Sequence, residues 1–524
     1  MASKFFIIDW IIFLGYFVMV AISSILLSKR TISNTKDYFL ANKSMPMWAA
    51  AVSLLATTQS AATFLGGPES AYRNNLTYLF TYAGIIIGVC IVAIFFIPKF
   101  YKYEVVTVYE LLENRFGVIA KKGASISYLI GRTFASGARL YMAAIAVSMI
   151  LFFDIQKGHI LMATIFLALL GIAYAYQGGI RSVIWSDLIQ FIVYVSAALF
   201  SIFFLLKSIP ADIPEIIEVL RHSSADGGSK FKLMDFSFNG LKGDFTVWAT
   251  LSGFVLLGMA SHGMDQDMTQ RLLTCKNKRE GTKSAILGTL ISIPTALIFM
   301  SIGLLLFIFY QKPEIMGNSS YVIDMQNKAP VSVQIFMYYL LNEMPAGLKG
   351  LCTIGVIAAA LSTLNSGINS MSSVLINDFY KPYLKKHKIE KDEYHFVKAG
   401  RIGMLMTVFL LSTISYASYF MQQYSNMPLL NFALSMMVFA YTGLIGVFLT
   451  ALFTKKGNGH SVISALIVGF LLSIFMQSYI WDFVFKKLGV ISLVGEAPAF
   501  PWVLVIGSFI SFLVCVSGKK KIQS

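Results

Sequence analysis

Charged residues are scarce in this chain. They make up 13% of its 524 residues, against about 25% in a soluble domain. Hydrophobic residues make up 56% and mean hydropathy is +0.70. A soluble globular protein is thereby excluded. Cysteine is scarce as well: Cys90, Cys275, Cys352 and Cys515 all fall in or near apolar blocks. Their spacing suits neither a disulfide framework nor a zinc site, which leaves them as small apolar filler. The six histidines (His159, His222, His262, His387, His395, His460) are dispersed, and no phosphate-binding glycine loop or nucleophile elbow occurs. No enzyme constellation is present. There is also no low-complexity linker and no appended soluble domain.

What the chain does have is long apolar runs. Ser284 to Tyr310 contains no charged residue. About 20 apolar residues in a helix cross a bilayer core of about 30 Å. Thirteen blocks meet this need: 6–28, 47–71, 76–97, 124–152, 159–176, 182–206, 246–270, 284–310, 333–377, 402–421, 428–453, 460–480 and 500–517. The block 333–377 is too long for one crossing, and it is expected to include a helix along the membrane surface. The first block follows Met1-Ala-Ser-Lys4 without a small-residue cleavage site, so it reads as a retained helix rather than a signal peptide.

The net charge of +16 does not signal nucleic acid. With the N-terminus outside and thirteen alternating crossings, 27 of the 42 basic residues fall on the cytoplasmic side. This is the positive-inside bias, and it places the C-terminus in the cytoplasm of a multi-pass plasma-membrane protein. The basic inner segment 378–400 is a solvated loop.

Two blocks carry polar interruptions: Ala56-Thr-Thr-Gln-Ser-Ala-Ala-Thr63, followed by Gly66-Gly67-Pro68, and Ser261-His-Gly-Met-Asp-Gln-Asp-Met-Thr-Gln-Arg271. With 6–28 set apart as an extra helix, these blocks open two five-helix sets, 47–206 and 246–453. The segment 460–517 then supplies two C-terminal helices. Five is odd, so the second set is inverted. Interrupted helices at matching places in inverted halves mark a transporter site, because broken backbone survives at membrane depth only where it lines a cavity or is buried in protein.

Within the first interruption, Thr57, Thr58, Gln59, Ser60 and Thr63 put five polar side chains in eight residues. Hydroxyls can bond their own helix backbone, but this density favours local unwinding. In the ninth block Ala359, Ser362, Thr363 and Ser366 share one helix face. They serve either close helix packing or a sodium site, since a hard cation wants several oxygens. Asp187, several residues inside a block, is either functional or an interfacial anchor for Arg181. Arg132 and Arg139 meet either a substrate carboxylate or an internal partner such as Asp187 or a carbonyl.

Four motifs, Ala56 to Phe64, Tyr176-Gln-Gly-Gly-Ile-Arg-Ser-Val-Ile-Trp-Ser-Asp187, Asp265-Gln266…Gln270-Arg271 and Ala360-Leu-Ser-Thr-Leu-Asn-Ser-Gly-Ile-Asn-Ser370, resemble the sodium/solute symporter family over residues 6–517. The resemblance implies an all-α membrane protein of the leucine-transporter type: a 5+5 inverted repeat with one extra N-terminal and two C-terminal helices. It implies alternating access driven by sodium. It places a sodium ion on the carbonyls of Ala56, Gln59 and Ala359 and the hydroxyls of Ser362 and Thr363. A second sodium, found in some members, would fall on Ser362, Asn365, Ser366 and Asp187, with Asn365 standing where those members have serine. The chain looks most similar to the sialic acid transporter branch. Thr58, Ser60, Thr63, Tyr82 and Arg132 fall on that branch's substrate positions, with Ala61 and Tyr82 replacing a serine and a glutamine. The implied cargo is a small carboxylated solute.

Overall fold

The computed structural model describes residues 5–28, 34–223, 228–238, 240–317, 335–425, 427–489 and 495–519, and contains no strand among them. Helices follow from the apolar blocks, because backbone polar groups in hydrocarbon must be satisfied within their own segment. Helix α1 is Ile7–Ser28. Helices α2, Met47–Thr58, and α3, Ala61–Arg73, form a broken pair bent by 62°. Next come α4, Thr77–Phe95, the short α5, Glu110–Phe116, and α6, Val118–Phe152. Helix α7, Lys157–Ser208, joins the blocks 159–176 and 182–206 across a kink at Gly179, which has φ 57° and ψ −158°. A side chain there would be strained, and its Cβ would lie 2.4 Å from the Tyr38 carbonyl oxygen.

The second broken pair is α8, Val247–Gly263, and α9, Gln266–Leu273, bent by 54°. Helix α10 is Lys278–Gln311. The block 333–377 resolves into α11, Ile335–Asn342, and α12, Leu348–Val374, separated by a turn through Gly347 at φ 86°. Helices α13, Glu393–Ser425, and α14, Leu429–Phe453, follow. The chain then forms α15, Gly459–Phe475, bent by 73° from α16, Ser478–Lys487, and finally α17, Phe500–Val516. Every one of the thirteen blocks thus carries a helix. Among the described residues, seven helices and three bent pairs are long and apolar enough to cross a membrane, and shorter apolar helices begin at Ile7, Lys157 and Phe500.

Burial shows which helices form the centre. In α12, 94% of the membrane window is buried, against 33% for α13 and for the second half of α7. Helix α12 is therefore an axis, and the other two face lipid along much of their surface. The extra helix α1 is tied to this axis by Asp9, whose carboxylate accepts from the amides of Gly347 (2.8 Å) and Gly350 (2.7 Å) at the start of α12. An acid at a helix N-terminus is favoured by the free N–H groups and the dipole. Close backbone approach brings α4 against α8. A Cβ on Gly84 would lie 2.2 Å from the Thr250 carbonyl oxygen, and one on Gly88 would lie 2.3 Å from that of Val255. This is the small-residue packing that membrane helices use.

Candidate functional site

The two breaks fall at Gln59–Ser60 and Met264–Asp265. In the first, the last α2 backbone bond runs from the Gln59 amide to the Leu55 carbonyl at 2.9 Å. The carbonyls from Ala56 onward therefore lack an intrahelical donor. Helix α3 restarts with Ser60 as its cap, accepting from the Ala62 amide at 3.2 Å. The hydroxyls of Thr57 and Thr58 bond back to Ser53 and Leu55 carbonyls (2.8 and 2.7 Å). They bond back within the last turns of α2, which breaks directly after them.

Helix α12 passes beside this break. The Thr363 hydroxyl lies 3.4 Å from the freed Thr57 carbonyl and 3.3 Å from the Ala359 carbonyl. Ser362 donates to Asp187 at 2.7 Å, which spends its proton and leaves its lone pairs free. Ala56, Gln59, Ala359, Ser362 and Thr363 are all at least 98% buried. The oxygens of Thr57, Ala359 and Thr363 thus gather at one point between α2 and α12.

Asp187 does not pair with Arg181, which instead reaches the Ala41 carbonyl and Ser44. Nor does it pair with Arg132. It accepts from Ser53 (2.5 Å), Ser362 (2.7 Å) and Arg271 (3.0 Å). Arg271 also bonds Ser53 (2.7 Å) and both the carbonyl and carboxylate of Asp267 (2.8 Å each). Arg132 binds Asp265 at 2.9 Å and also Asp267, so both terminal nitrogens of its guanidinium are taken by acids of the second break. Tyr441 donates to Asp265 (2.7 Å) and Ser366 to Asp267 (2.9 Å). This network links α2, α6, α7, the α8–α9 break, α12 and α14. It holds three carboxylates and two guanidiniums, all at least 97% buried, and so carries a formal charge of −1.

A cavity of about 100 Å³ adjoins the network. Thr58, Thr63, Tyr82 and Arg132 line it, but Ser60 does not. Arg139, Tyr78, His262 and Tyr441 also line it, as do Thr57, Ser261, Thr289 and Ser292. Gln59 reaches Tyr82 with its amide nitrogen at 3.3 Å. Arg139 has no acidic partner among the described residues; its one hydrogen-bond contact is the Met437 sulfur at 3.2 Å. Of the proposed second sodium set, Ser362 meets Asp187 while Ser366 turns to Asp267, and the Asn365 side-chain oxygen and nitrogen have no partner among the described residues. Sequence reasoning assigned no role to Ser53, Asp265, Asp267, Arg271 or Tyr441. The signal for three of them was present, in an Asp-Gln-Asp…Arg run inside an apolar block.

The profile of the sodium:solute symporter family matches residues 38–469. The chain belongs to that family. It is a multi-pass membrane protein of a family whose solute symport is coupled to sodium. It is 28% identical to the sodium/sialic acid symporter NanT of Aliivibrio fischeri, over 91% of this chain and 89% of the relative. It is 26% identical to the sodium/sialic acid symporter SiaT of Proteus mirabilis, over 92% of each. A solved structure of a Na+-coupled sialic acid symporter, in a substrate-bound outward-open state, superposes with a TM-score of 0.78 at 23% identity, covering 98% of both chains. The fold is thus of the leucine-transporter type that the motifs implied.

Proposed function

We propose that this protein imports a sialic acid, such as N-acetylneuraminate, together with one sodium ion across a bacterial plasma membrane. The N-terminus lies outside and the C-terminus in the cytoplasm, and the repeats 47–206 and 246–453 move against each other. The sialic acid relatives support the cargo class. The observation that carries the reading is the charge layout at the breaks: a buried network of formal charge −1 beside freed carbonyls, and a guanidinium without an acid in the adjoining cavity.

Sodium sits on the carbonyls of Ala56, Gln59 and Ala359 and the hydroxyls of Ser362 and Thr363. All are hard oxygen ligands. Its charge neutralises the network through Ser362 and Asp187. Arg139 receives the cargo carboxylate in bidentate fashion, and the N-terminus of α3 adds the positive end of its dipole. Thr58, Thr63 and Tyr82 meet cargo hydroxyls. Arg132, held by Asp265 and Asp267, backs the site, and Ser60 caps α3. We keep a single sodium because Arg271 already supplies positive charge to Asp187, and Ser366 is committed to Asp267. The cavity is smaller than the roughly 300–1,000 Å³ of ligand pockets, so the cargo is admitted by movement at the breaks.

Uptake of labelled N-acetylneuraminate by proteoliposomes tests this reading, run with an inward sodium gradient and again in potassium, with glucose and pyruvate as competitors. Sodium-dependent uptake resistant to both competitors supports it. Uptake indifferent to sodium removes the coupling, and strong inhibition by pyruvate or glucose moves the cargo to another class.

A further inference from the structure

Three buried side chains beside the first break carry polar atoms without a hydrogen-bond partner among the described residues: both amide atoms of Gln190, the hydroxyl of Tyr194 and the side-chain oxygen of Gln59. Each residue is at least 98% buried. Gln190 and Tyr194 lie three and seven positions beyond Asp187, so all three share one face of α7. That face is fixed at both ends. At one end Asp187 bonds Ser53 of α2 and Ser362 of α12. At the other, the Tyr194 ring stacks on Phe299 at 5.4 Å, and Phe299 lies 5.0 Å from Phe64 in the first turn of α3. Gln190 therefore lies on α7 between the level of Ser53 in α2 and Ser362 in α12 and the level of the Tyr194–Phe299–Phe64 ring contacts at the start of α3.

Buried polar groups are almost always satisfied by protein or by ordered water. A cation alone would answer the orphaned oxygens but not the Gln190 amide N–H, which needs an acceptor. A water molecule answers both. It can accept from the amide nitrogen or the Tyr194 hydroxyl, donate to an amide oxygen, and still offer a lone pair to an ion.

We propose that Gln190, with Tyr194 and the Gln59 side chain, holds an ordered water against the first break, and that this water completes the oxygen shell of the sodium ion. Gln190 is then a positioning residue for sodium, acting through the water. The proposal rests on the sodium reading given above.

The test is thermal unfolding of the purified full chain, titrated with sodium chloride at constant ionic strength against potassium chloride, with no cargo present. The wild-type protein is stabilised by sodium. Gln190→Leu raises the half-saturating sodium concentration about tenfold. Tyr194→Phe raises it by less, and the double variant shifts no further than Gln190→Leu alone, because both side chains act on one water. Gln190→Asn, which keeps the amide and adds no charge, raises it by less than Gln190→Leu does. The melting temperature in potassium alone reports the fold. A Gln190→Leu curve superimposable on wild type, or fully additive shifts in the double variant, overturns the proposal. If Gln190→Leu does not fold, Tyr194→Phe, which removes only a hydroxyl, decides alone: an unchanged sodium curve overturns it. A wild-type protein that sodium does not stabilise at all would sink the sodium reading instead.

Discussion

Replacing Asp187 with asparagine separates the charge of this residue from its shape. The carboxylate lies 2.7 Å from the Ser362 hydroxyl oxygen. With a metal–oxygen distance of about 2.4 Å, as for hard cations, the ion sits about 5 Å from the charge. At an effective dielectric of about 20, one unit charge at that distance contributes roughly 3 kcal/mol. Asp187→Asn takes the network from −1 to neutral and removes that attraction. The expected result is a rise of about 100-fold in half-saturating sodium for uptake, a tenfold change being about 1.4 kcal/mol. Stability also falls. Breaking one member of a buried pair costs about 3–5 kcal/mol, softened here because Arg271 keeps Asp267 and Ser53. Folded protein is therefore selected by size-exclusion chromatography before uptake is measured across a sodium titration at saturating cargo. A half-saturating concentration within about twofold of wild type would refute the electrostatic argument, since it would leave less than about 0.5 kcal/mol for the charge.

Three further outcomes follow from the geometry. Arg139→Ala should raise the cargo half-saturation at least about 30-fold at saturating sodium, the loss of a charge-assisted bidentate contact, with little change in the sodium curve; equal shifts in both would contradict its assignment to the carboxylate. One sodium moving with one carboxylate is electroneutral, so an inside-negative potential set by potassium and valinomycin should leave uptake unchanged. Marked stimulation would mean a second sodium, because each net charge gains about 2.3 kcal/mol per 100 mV. Asp244, in the loop before α8, bonds Asn431 at 2.5 Å, and burial pushes its carboxyl up to about 6. A raised carboxyl pKa means the folded state binds the proton more tightly than the unfolded chain, so stability from this group grows as pH falls from above 6 towards 4. Asp244→Asn should therefore melt higher than wild type at pH 7.5 and converge with it at pH 4.5; a variant less stable at both values would refute this.

The parts of the site that come from a single stretch of chain were legible in the sequence. The polar run Thr57 to Thr63 marked the first break and Ser261 to Arg271 the second, because hydrocarbon tolerates few reasons for such residues. The packing alternative for α12 and the sodium alternative both survive in the structure, since a small-residue face that packs closely is also the face that brings Thr363 to the Thr57 carbonyl. Partners distant in sequence were not legible. Arg181 stands six residues from Asp187, yet the pairing goes to Arg271, 84 residues away. Periodicity gives a face but not what faces it. Arg132 offers the same lesson: its place in a cavity wall was foreseeable, whereas the two acids that occupy its guanidinium arrive from the break between α8 and α9, more than 130 residues on. The two blocks 159–176 and 182–206 were legible in the sequence, and in the structure Gly179 absorbs the turn between them.

The proposed symport requires an alkali ion held where α2 loses its helical backbone. Equilibrium binding of radioactive sodium to purified protein, without cargo, reaches that point directly. Wild type should bind about one ion per chain, displaced by excess sodium but not by potassium, and Ser362→Ala with Thr363→Val should abolish saturable binding in a protein that still elutes as folded. Undiminished binding in that double variant, or no saturable binding to wild type, would contradict the account.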